Sequence, residues 1–400
     1  MQRFNPQEFV EKQVEEIRKG IGNKRALIAV SGGVDSTTCA ALTHRALGEN
    51  LLCVMLDDAF MRQGEPERVA QLLSQPPLNL PVKVLNVQER FLKALKGLCD
   101  AEEKRKAFRE AFYRTLSETA QNEGCQFLVQ GTIRADIEET AGGIKTQHNV
   151  LAQIGISPIQ RYGFQVIEPL VALYKPQVRQ VARHLGVPKE ISERQPFPGP
   201  GLSVRVVGEI KTDKLENLKR ATAIAEEKLA EHRPNQYFAA IIDDKESLQQ
   251  SLCQKIGETT AQFLNLPPAQ VSVKVLQDRA TGIRNGKRHY GEIAAVRALT
   301  LNGKIRQLPV KNLVNLHDEI IRGNPSLTRV LYAVHETTRK KPYLIAMRAI
   351  QTQDFITAQV AEVPWATLRE AAREILETCP QVSSVYYDVT PKPPATIEME

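Results

Sequence analysis

Six residues near the start of the chain are of the types that handle phosphate: Ser31-Gly32-Gly33-Val34-Asp35-Ser36. Two glycines let a ligand approach the backbone closely, and two serines supply hydroxyl donors. Asp35 is the odd member, because a carboxylate beside a phosphate repels it unless a cation lies between. The stretch therefore reads as a phosphate cradle with a Mg²⁺ ligand at Asp35. It is neither the nucleotide loop ending in Gly-Lys-Ser/Thr nor a dinucleotide Gly-x-Gly-x-x-Gly turn. A bare Gly-Gly pair would more often be an ordinary turn, so the whole six-residue pattern and its setting carry the reading.

That setting is an apolar run at 26–30, of the kind that makes a buried parallel strand, and an Ala- and Leu-rich helix expected over 37–47. Strand, small-residue loop and helix together aim backbone N–H groups and the positive end of a helix dipole at one point. Further strands are expected at 51–56, 82–86, 126–130 and 165–170, with helices at 5–19, 65–73, 101–123 and 175–185. Gly131 and Thr132 stand at the end of the strand expected at 126–130. Alternating strands and helices predict an α/β fold, a doubly wound parallel sheet that binds ligands beyond its strand C-termini.

Around residue 195 the character changes. Pro196-Phe197-Pro198-Gly199-Pro200-Gly201 can be neither helix nor central strand and marks a boundary or a rigid functional loop. We expect a first domain over 1–203 and a smaller α+β domain over 204–400. Basic stretches within 281–299 and 329–350 look alike, which reads equally as a duplicated unit or as chance.

Composition narrows the class. The chain is 42% hydrophobic and 25% charged, ordinary for a globular protein, and has no apolar run long enough to span a membrane. Cys39, Cys53, Cys99, Cys125, Cys253 and Cys379 are scattered without a Cys-x-x-Cys pair, which argues for a reducing cytoplasm and against zinc and redox catalysis. The net charge of +7 suits a phosphate-rich substrate, and no basic-aromatic stretch supports nucleic acid as a partner.

The six-residue loop resembles the pyrophosphate loop of the N-type ATP pyrophosphatases. Other stretches resemble one family within that superfamily, the GMP synthetases, in their ATP-pyrophosphatase and C-terminal dimerisation domains. Gln130-Gly131-Thr132-Ile133, with Asp136, Glu139 and Thr140, resembles that family's segment after the fourth strand. Ile144-Lys145-Thr146-Gln147-His148-Asn149-Val150 resembles its mobile lid. The proline loop running into Arg205 and the closing Lys392-Pro393-Pro394-Ala395-Thr396-Ile397-Glu398-Met399-Glu400 resemble its two most specific motifs.

The resemblance implies ATP-dependent amination of xanthosine monophosphate to GMP through an adenylated intermediate, with ATP and Mg²⁺ as cofactors. It implies that Ser31 to Ser36, with Gly131 and Thr132, hold ATP and pyrophosphate, and that Lys145 closes over the α-phosphate. Asp136, Glu139, His148 and Asn149 would belong to the lid, and Arg205, Lys392, Ile397 and Glu398 would bind the nucleotide substrate. Taken alone, Lys145 and His148 read as solvated loop residues, and Asp136 and Glu139 as solvated acids on one helix face. No Gly-x-Cys-x-Gly nucleophile elbow occurs, so ammonia is expected free or from a separate glutamine amidotransferase subunit. A cytoplasmic homodimer is implied as well.

The sequence departs from the family at Asp57-Asp58-Ala59-Phe60, at Gln147, at Gln195, at Met399 and in a shortened lid and a longer C-terminal region. Those departures keep two other readings open: adenylation of another acceptor, such as a tRNA base or small carbonyl, and a non-catalytic nucleotide-binding protein.

Overall fold

The computed structural model describes residues 4–141, 155–353 and 356–400, with the backbone alone described at 139–141. Lys145, His148 and Asn149 and the side chain of Glu139 therefore lie outside the described residues. The chain divides into two compact units, Met1–Ala94 with Arg105–Gly199, and Leu95–Lys104 with Pro200–Glu400.

In the first unit, chain order runs α1 (Pro6–Ile21), β1 (Arg25–Ala29), α2 (Val34–Leu47), β2 (Leu51–Asp57), α3 (Glu65–Ser74), β3 (Val82–Asn86), α4 (Gln88–Leu95), α5 (Ala101–Asn122), β4 (Cys125–Val129), α6 (Arg134–Ala141), α7 (Pro158–Tyr162), β5 (Gln165–Ile167), α8 (Lys175–His184) and α9 (Lys189–Ser192). Local signals start and orient α1: Asn5 caps it by accepting from the Gln7 and Glu8 N–H groups, Pro6 opens it, and Val10, Val14, Ile17 and Ile21 fall on one buried face. The strand after α7 is shorter than its apolar run suggested, ending at Ile167 before Pro169, which has no N–H for a ladder.

The five strands are all parallel in the order β3-β2-β1-β4-β5. The order reverses between β1 and β4, whose registers pair Ala26 with Phe127 and Ile28 with Val129. A doubly wound sheet opens its binding crevice at such a reversal. The loops after β1 and β4, carrying Ser31–Ser36 and Gly131-Thr132, both start there. Helix α2 lies close because its buried face is small: Ala40, Ala41 and Cys39 pack, while Thr38 and Thr43 donate their hydroxyls to the Val34 and Cys39 carbonyls at 2.6 and 2.8 Å.

The second unit contains α10 (Thr212–Ala230), β6 (Gln236–Asp243), α11 (Gln250–Leu264), β7 (Val271–Arg284), β8 (Lys287–Ala298), α12 (Val310–Gly323), β9 (Leu327–Glu336), β10 (Tyr343–Gln351), β11 (Gln359–Val360), α13 (Trp365–Thr378) and β12 (Val382–Asp388). Its mixed sheet runs β11-β10-β12-β9-β8-β7, with β6 antiparallel to β10 from Asp243–Tyr343 to Gln236–Ile350. Alternate residues of neighbouring strands (Phe238, Ala240 and Ile242; Ile293 and Ala295; Leu331 and Ala333; Leu344 and Ala346) line one core.

The two look-alike basic stretches are built differently. β7 and β8 form a direct antiparallel hairpin, whereas β12 is inserted between β9 and β10. What recurs is a strand, a helix and a parallel strand: β8-α12-β9 and β10-α13-β12.

Candidate functional site

In the first unit the loop's serines are tied to each other. Ser31 Oγ and Ser36 Oγ lie 3.0 Å apart, the Ser31 N–H donates to Ser36 Oγ at 3.1 Å, and Ser36 Oγ donates to the Gly33 carbonyl at 3.2 Å. Gly32 sits at φ +71°, and a Cβ there would stand 2.9 Å from Val69, so a side chain is excluded twice over. Gly33 precedes α2, whose first-turn N–H groups lack intrahelical partners and point into the loop.

Gly131 is as close as backbone allows. A Cβ on it would meet the Asp35 carbonyl carbon and oxygen and the Ser36 nitrogen, each at 3.0 Å. Beside it, buried Thr132 donates to Glu168, whose carboxyl is pushed above the usual range by burial, the hydroxyl opposing and Asp136 adding to the rise. Asp136 turns back on its own helix, accepting from the Ile133 N–H at 3.0 Å.

Lys175 is the residue that sequence reasoning missed. Its ammonium donates to Asp35 Oδ2, whereas Asp35 Oδ1 is buried without a hydrogen-bond partner. A signal was present: Lys175 opens α8, where the helix dipole disfavours a cation unless an anion faces it. The orphaned Oδ1 fits a metal that arrives carrying its other ligands. Among the described residues no group of three or more His, Cys, Asp or Glu side chains could hold an ion by itself. Phosphate oxygens are the ligands that complete such a Mg²⁺ shell.

After β2, Asp58 accepts from the Phe60 N–H at 2.8 Å, and Ala59 lies at φ +75°. Asp57 accepts from Gln88 at 2.6 Å.

In the second unit the terminal tail is docked along its length. Lys392 exchanges backbone hydrogen bonds with Ala358 at 2.8 and 3.0 Å, the Thr281 N–H donates to the Met399 carbonyl at 2.9 Å, and the Glu400 N–H donates to Val204 at 3.1 Å. Two fully buried arginines hold its carbonyls. Arg348 donates to Ile397 at 3.0 Å and Thr396 at 3.1 Å, and Arg329 donates to Glu398. Asp388 pairs with both guanidiniums, at 2.8 and 3.0 Å. Burial raises its carboxyl, but Arg348, Arg329 and Thr390 more than offset this and hold it below the usual range.

Arg205 is buried completely. Its guanidinium forks onto Glu398 and stacks 4.2 Å from the Phe238 ring centre, and Gln236 donates to the same carboxylate at 2.7 Å. Arg205, expected to bind the nucleotide substrate, thus also braces the carboxylate of Glu398. Met399 is fully buried in the sheet core, so that departure is one of packing.

Residues 5–215 match the family described as NAD synthase, and residues 332–399 the family described as GMP synthase C terminal domain. A subunit of the glutamine-hydrolyzing GMP synthase of Sulfurisphaera tokodaii is 41% identical over 400 residues, covering 99% of this chain and all of that protein. The same subunit from Saccharolobus solfataricus is 42% identical over 397 residues, and that from Methanopyrus kandleri 39%. In both cases the match takes in 99% of this chain and all of the relative. A solved NMN synthetase from Francisella tularensis is similar at 21% identity and a TM-score of 0.39, over 50% of this chain and 79% of that one.

Proposed function

This chain belongs to the family of these GMP synthase subunits, and from that premise we propose that it makes GMP from xanthosine monophosphate, ATP and ammonia. The full-length identity to that family carries the reading. The loop geometry supports the ATP half, and the docked tail supports a nucleotide acceptor.

The carbonyl oxygen at purine position 2 attacks the α-phosphorus of ATP, and the bond from that phosphorus to the oxygen leading to the β-phosphate breaks. Pyrophosphate leaves with that oxygen. Ammonia then adds at position 2, and AMP departs carrying the former carbonyl oxygen. Charge grows on the pyrophosphate as its bond breaks, and preorganised donors aimed at such charge are the largest rate term in many enzymes. In this reading those donors are the N–H groups of Gly32, Gly33, Val34 and Asp35, the hydroxyls of Ser31 and Ser36, and the ammonium of Lys175. Gly131 and Thr132 complete the wall, with no side chain at Gly131 to fill the space. Asp35 would hold Mg²⁺ through the oxygen that lacks a partner, and the ion would screen the phosphate charge. Lys145, with Asp136, Glu139, His148 and Asn149, is assigned to the lid that excludes water, which would otherwise hydrolyse the adenylated purine.

In the second unit, Lys392 supplies a cation for the monophosphate, and Glu398 a carboxylate for hydroxyl or ring N–H donors. Ile397 lies between them in the tail, and Arg205 positions Glu398. On this assignment residues 1–203 form the ATP-pyrophosphatase domain and 204–400 the substrate and dimerisation domain of a cytoplasmic homodimer. The relatives' names place glutamine hydrolysis in the whole synthase, and a separate amidotransferase subunit is our reading of the ammonia source here.

The test is ammonium, Mg²⁺-ATP and xanthosine monophosphate, with pyrophosphate and GMP both measured. Equal yields support the reading. Pyrophosphate without GMP points to another acceptor, and neither product ends the adenylation reading.

A further inference from the structure

The two recurring units of the second sheet agree register for register. β8 sets Ile293 opposite Arg329 and Val296 opposite Tyr332 of β9, and β10 sets Leu344 opposite Ser384 and Met347 opposite Tyr387 of β12. Each run follows a register break at the same place, before Ile293 and before Leu344. The antiparallel pairing of β9 with β12 puts Tyr332 opposite Tyr387, the same position in each unit, so a local two-fold axis passes between these tyrosines. Under that axis Arg348 corresponds to Arg297, Asp388 to Ala333, and Arg329 to Ser384.

The halves differ where the tail docks. Arg297 is part-exposed and directs its guanidinium to Glu336 at 2.6 Å and Ser272 Oγ at 2.9 Å. Arg329 is fully buried and crosses the axis, pairing with Asp388 of the other half at 3.0 Å and donating through Nη2 to Thr396 Oγ1 at 3.0 Å and to the Glu398 carbonyl. Asp388 already has a counter-charge in Arg348 at 2.8 Å, so its neutrality does not call for a second guanidinium, and burying one is costly. What the second one adds is a hold on the tail: Glu398 is gripped at its main-chain carbonyl by Arg329 and at its carboxylate by Arg205.

We propose that Arg329, supplied by the first half of the duplicated sheet, is a positioning residue for the nucleotide acceptor that the tail of the second half binds. This rests on the reading of Lys392 and Glu398 as acceptor-binding residues. A carboxylate aimed by a guanidinium fork is only as well placed as the backbone that carries it, and a displacement of about 1 Å in such a support is enough to degrade a site. Arg329 fixes that backbone. Asp388 ties the start of the tail to the same cluster, accepting from the Thr390 N–H at 3.0 Å. The acceptor site therefore needs both halves of the duplicated sheet, and Arg297 holds the corresponding strand position without this task.

The experiment compares R329M, R329K and R297M in the full-length protein, with the KM for xanthosine monophosphate and for ATP, calorimetric binding of xanthosine monophosphate, and the urea midpoint measured for each. R329M leaves Asp388 paired with Arg348 and should raise the KM and weaken the binding of xanthosine monophosphate about tenfold, with the KM for ATP within about twofold of the parent. R329K keeps the charge without the planar fork and should recover part of that loss. R297M removes the corresponding arginine and should leave both KM values unchanged, whatever it does to the urea midpoint. Where R329M does not unfold cooperatively, R329K alone carries the test, its KM for xanthosine monophosphate rising while that for ATP stays. A parental KM for xanthosine monophosphate in the Arg329 variant, an equal rise for both substrates, or the same rise in R297M overturns the assignment. A parent that binds ATP but not xanthosine monophosphate instead removes the acceptor reading, and this inference with it.

Discussion

Arg205 closes two arms of its guanidinium on Glu398, Nε to Oε2 at 2.8 Å and Nη2 to Oε1 at 3.0 Å, across 193 residues of chain. Such a fork fixes the plane of a carboxylate as well as its position. With Gln236 on the same oxygen pair and Phe238 under the guanidinium, Glu398 has one orientation available.

That relationship separates two effects in kinetics. E398Q keeps the shape and removes the charge, so the KM for xanthosine monophosphate should rise about tenfold or more, while the KM for ATP stays within about twofold. R205K keeps a charge but loses the fork, so it should shift the same KM in the same direction by less. Steady-state kinetics with each substrate varied in turn would check this. Equal changes in both KM values would defeat the assignment of Glu398 to the acceptor.

The approach of Gly131 to the loop gives a steric prediction. G131A places a methyl carbon 3.0 Å from the Asp35 carbonyl and the Ser36 nitrogen, all backbone atoms that cannot rotate away. The loop must move, and kcat/KM for ATP should fall on the order of a hundredfold, the scale of losing one oriented donor. Gly20 is the control, because nothing stands within 4 Å of a Cβ there, and G20A should leave turnover unchanged. Normal turnover by G131A would show that the loop tolerates displacement.

How far these features could be seen in the sequence depended on whether the signal was local. The loop, its strand and its helix are contiguous, and small residues followed by an Ala- and Leu-rich run state them directly. The Gly131 approach arises from β1 and β4 lying side by side, a pairing that strand periodicity does not reveal. Lys175 meets the loop from 140 residues away, betrayed only by a cation at a helix start. Arg329 and Arg348 stand in otherwise apolar strands, which signals buried pairing, but the partner Asp388 becomes visible only when β12 is inserted between β9 and β10. The joining of Leu95–Lys104 to the second unit has no composition change to mark it.

Asp388 supports an acid-stability prediction. Its carboxyl titrates below the usual aspartate range in the folded protein, so the unfolded chain binds the proton first as pH falls. Its contribution is therefore fully present above the ordinary aspartate pKa near 3.9 and is lost as pH falls through the lower folded value. D388N strands two buried guanidiniums and should cost about 3–5 kcal/mol at pH 7. Urea midpoints measured from pH 7 to pH 3 should show the gap between parent and variant closing only below about pH 4. A gap that closes near neutrality would assign the effect to another group.

Glu400 predicts the opposite slope. Its carboxylate is fully buried, Oε2 accepting from Lys104 and Oε1 from the Gly208 N–H at 2.9 Å. Burial outweighs those partners and pushes its pKa up to about 7, against 4.5 for an ordinary glutamate side chain. Between those two values the folded protein holds a proton that the unfolded chain has released. Stability from this group is therefore fully present below about pH 4.5 and is lost as pH rises through about 7, by ~3 kcal/mol at most. E400Q cannot ionise, so the difference in unfolding free energy between parent and E400Q should shift in favour of the variant from pH 5 to pH 8. Removing the charge also leaves Lys104 buried without its partner, and E400Q should be rescued by K104M, which retains the bulk and drops the second charge. The full cycle of parent, two single variants and the double variant, unfolded in urea at both pH values, measures the pair and its pH dependence together. A parent-to-E400Q difference that is the same at pH 5 and pH 8 would mean that Lys104 keeps this carboxylate ionised throughout, and that attraction within the pair exceeds the cost of burying it.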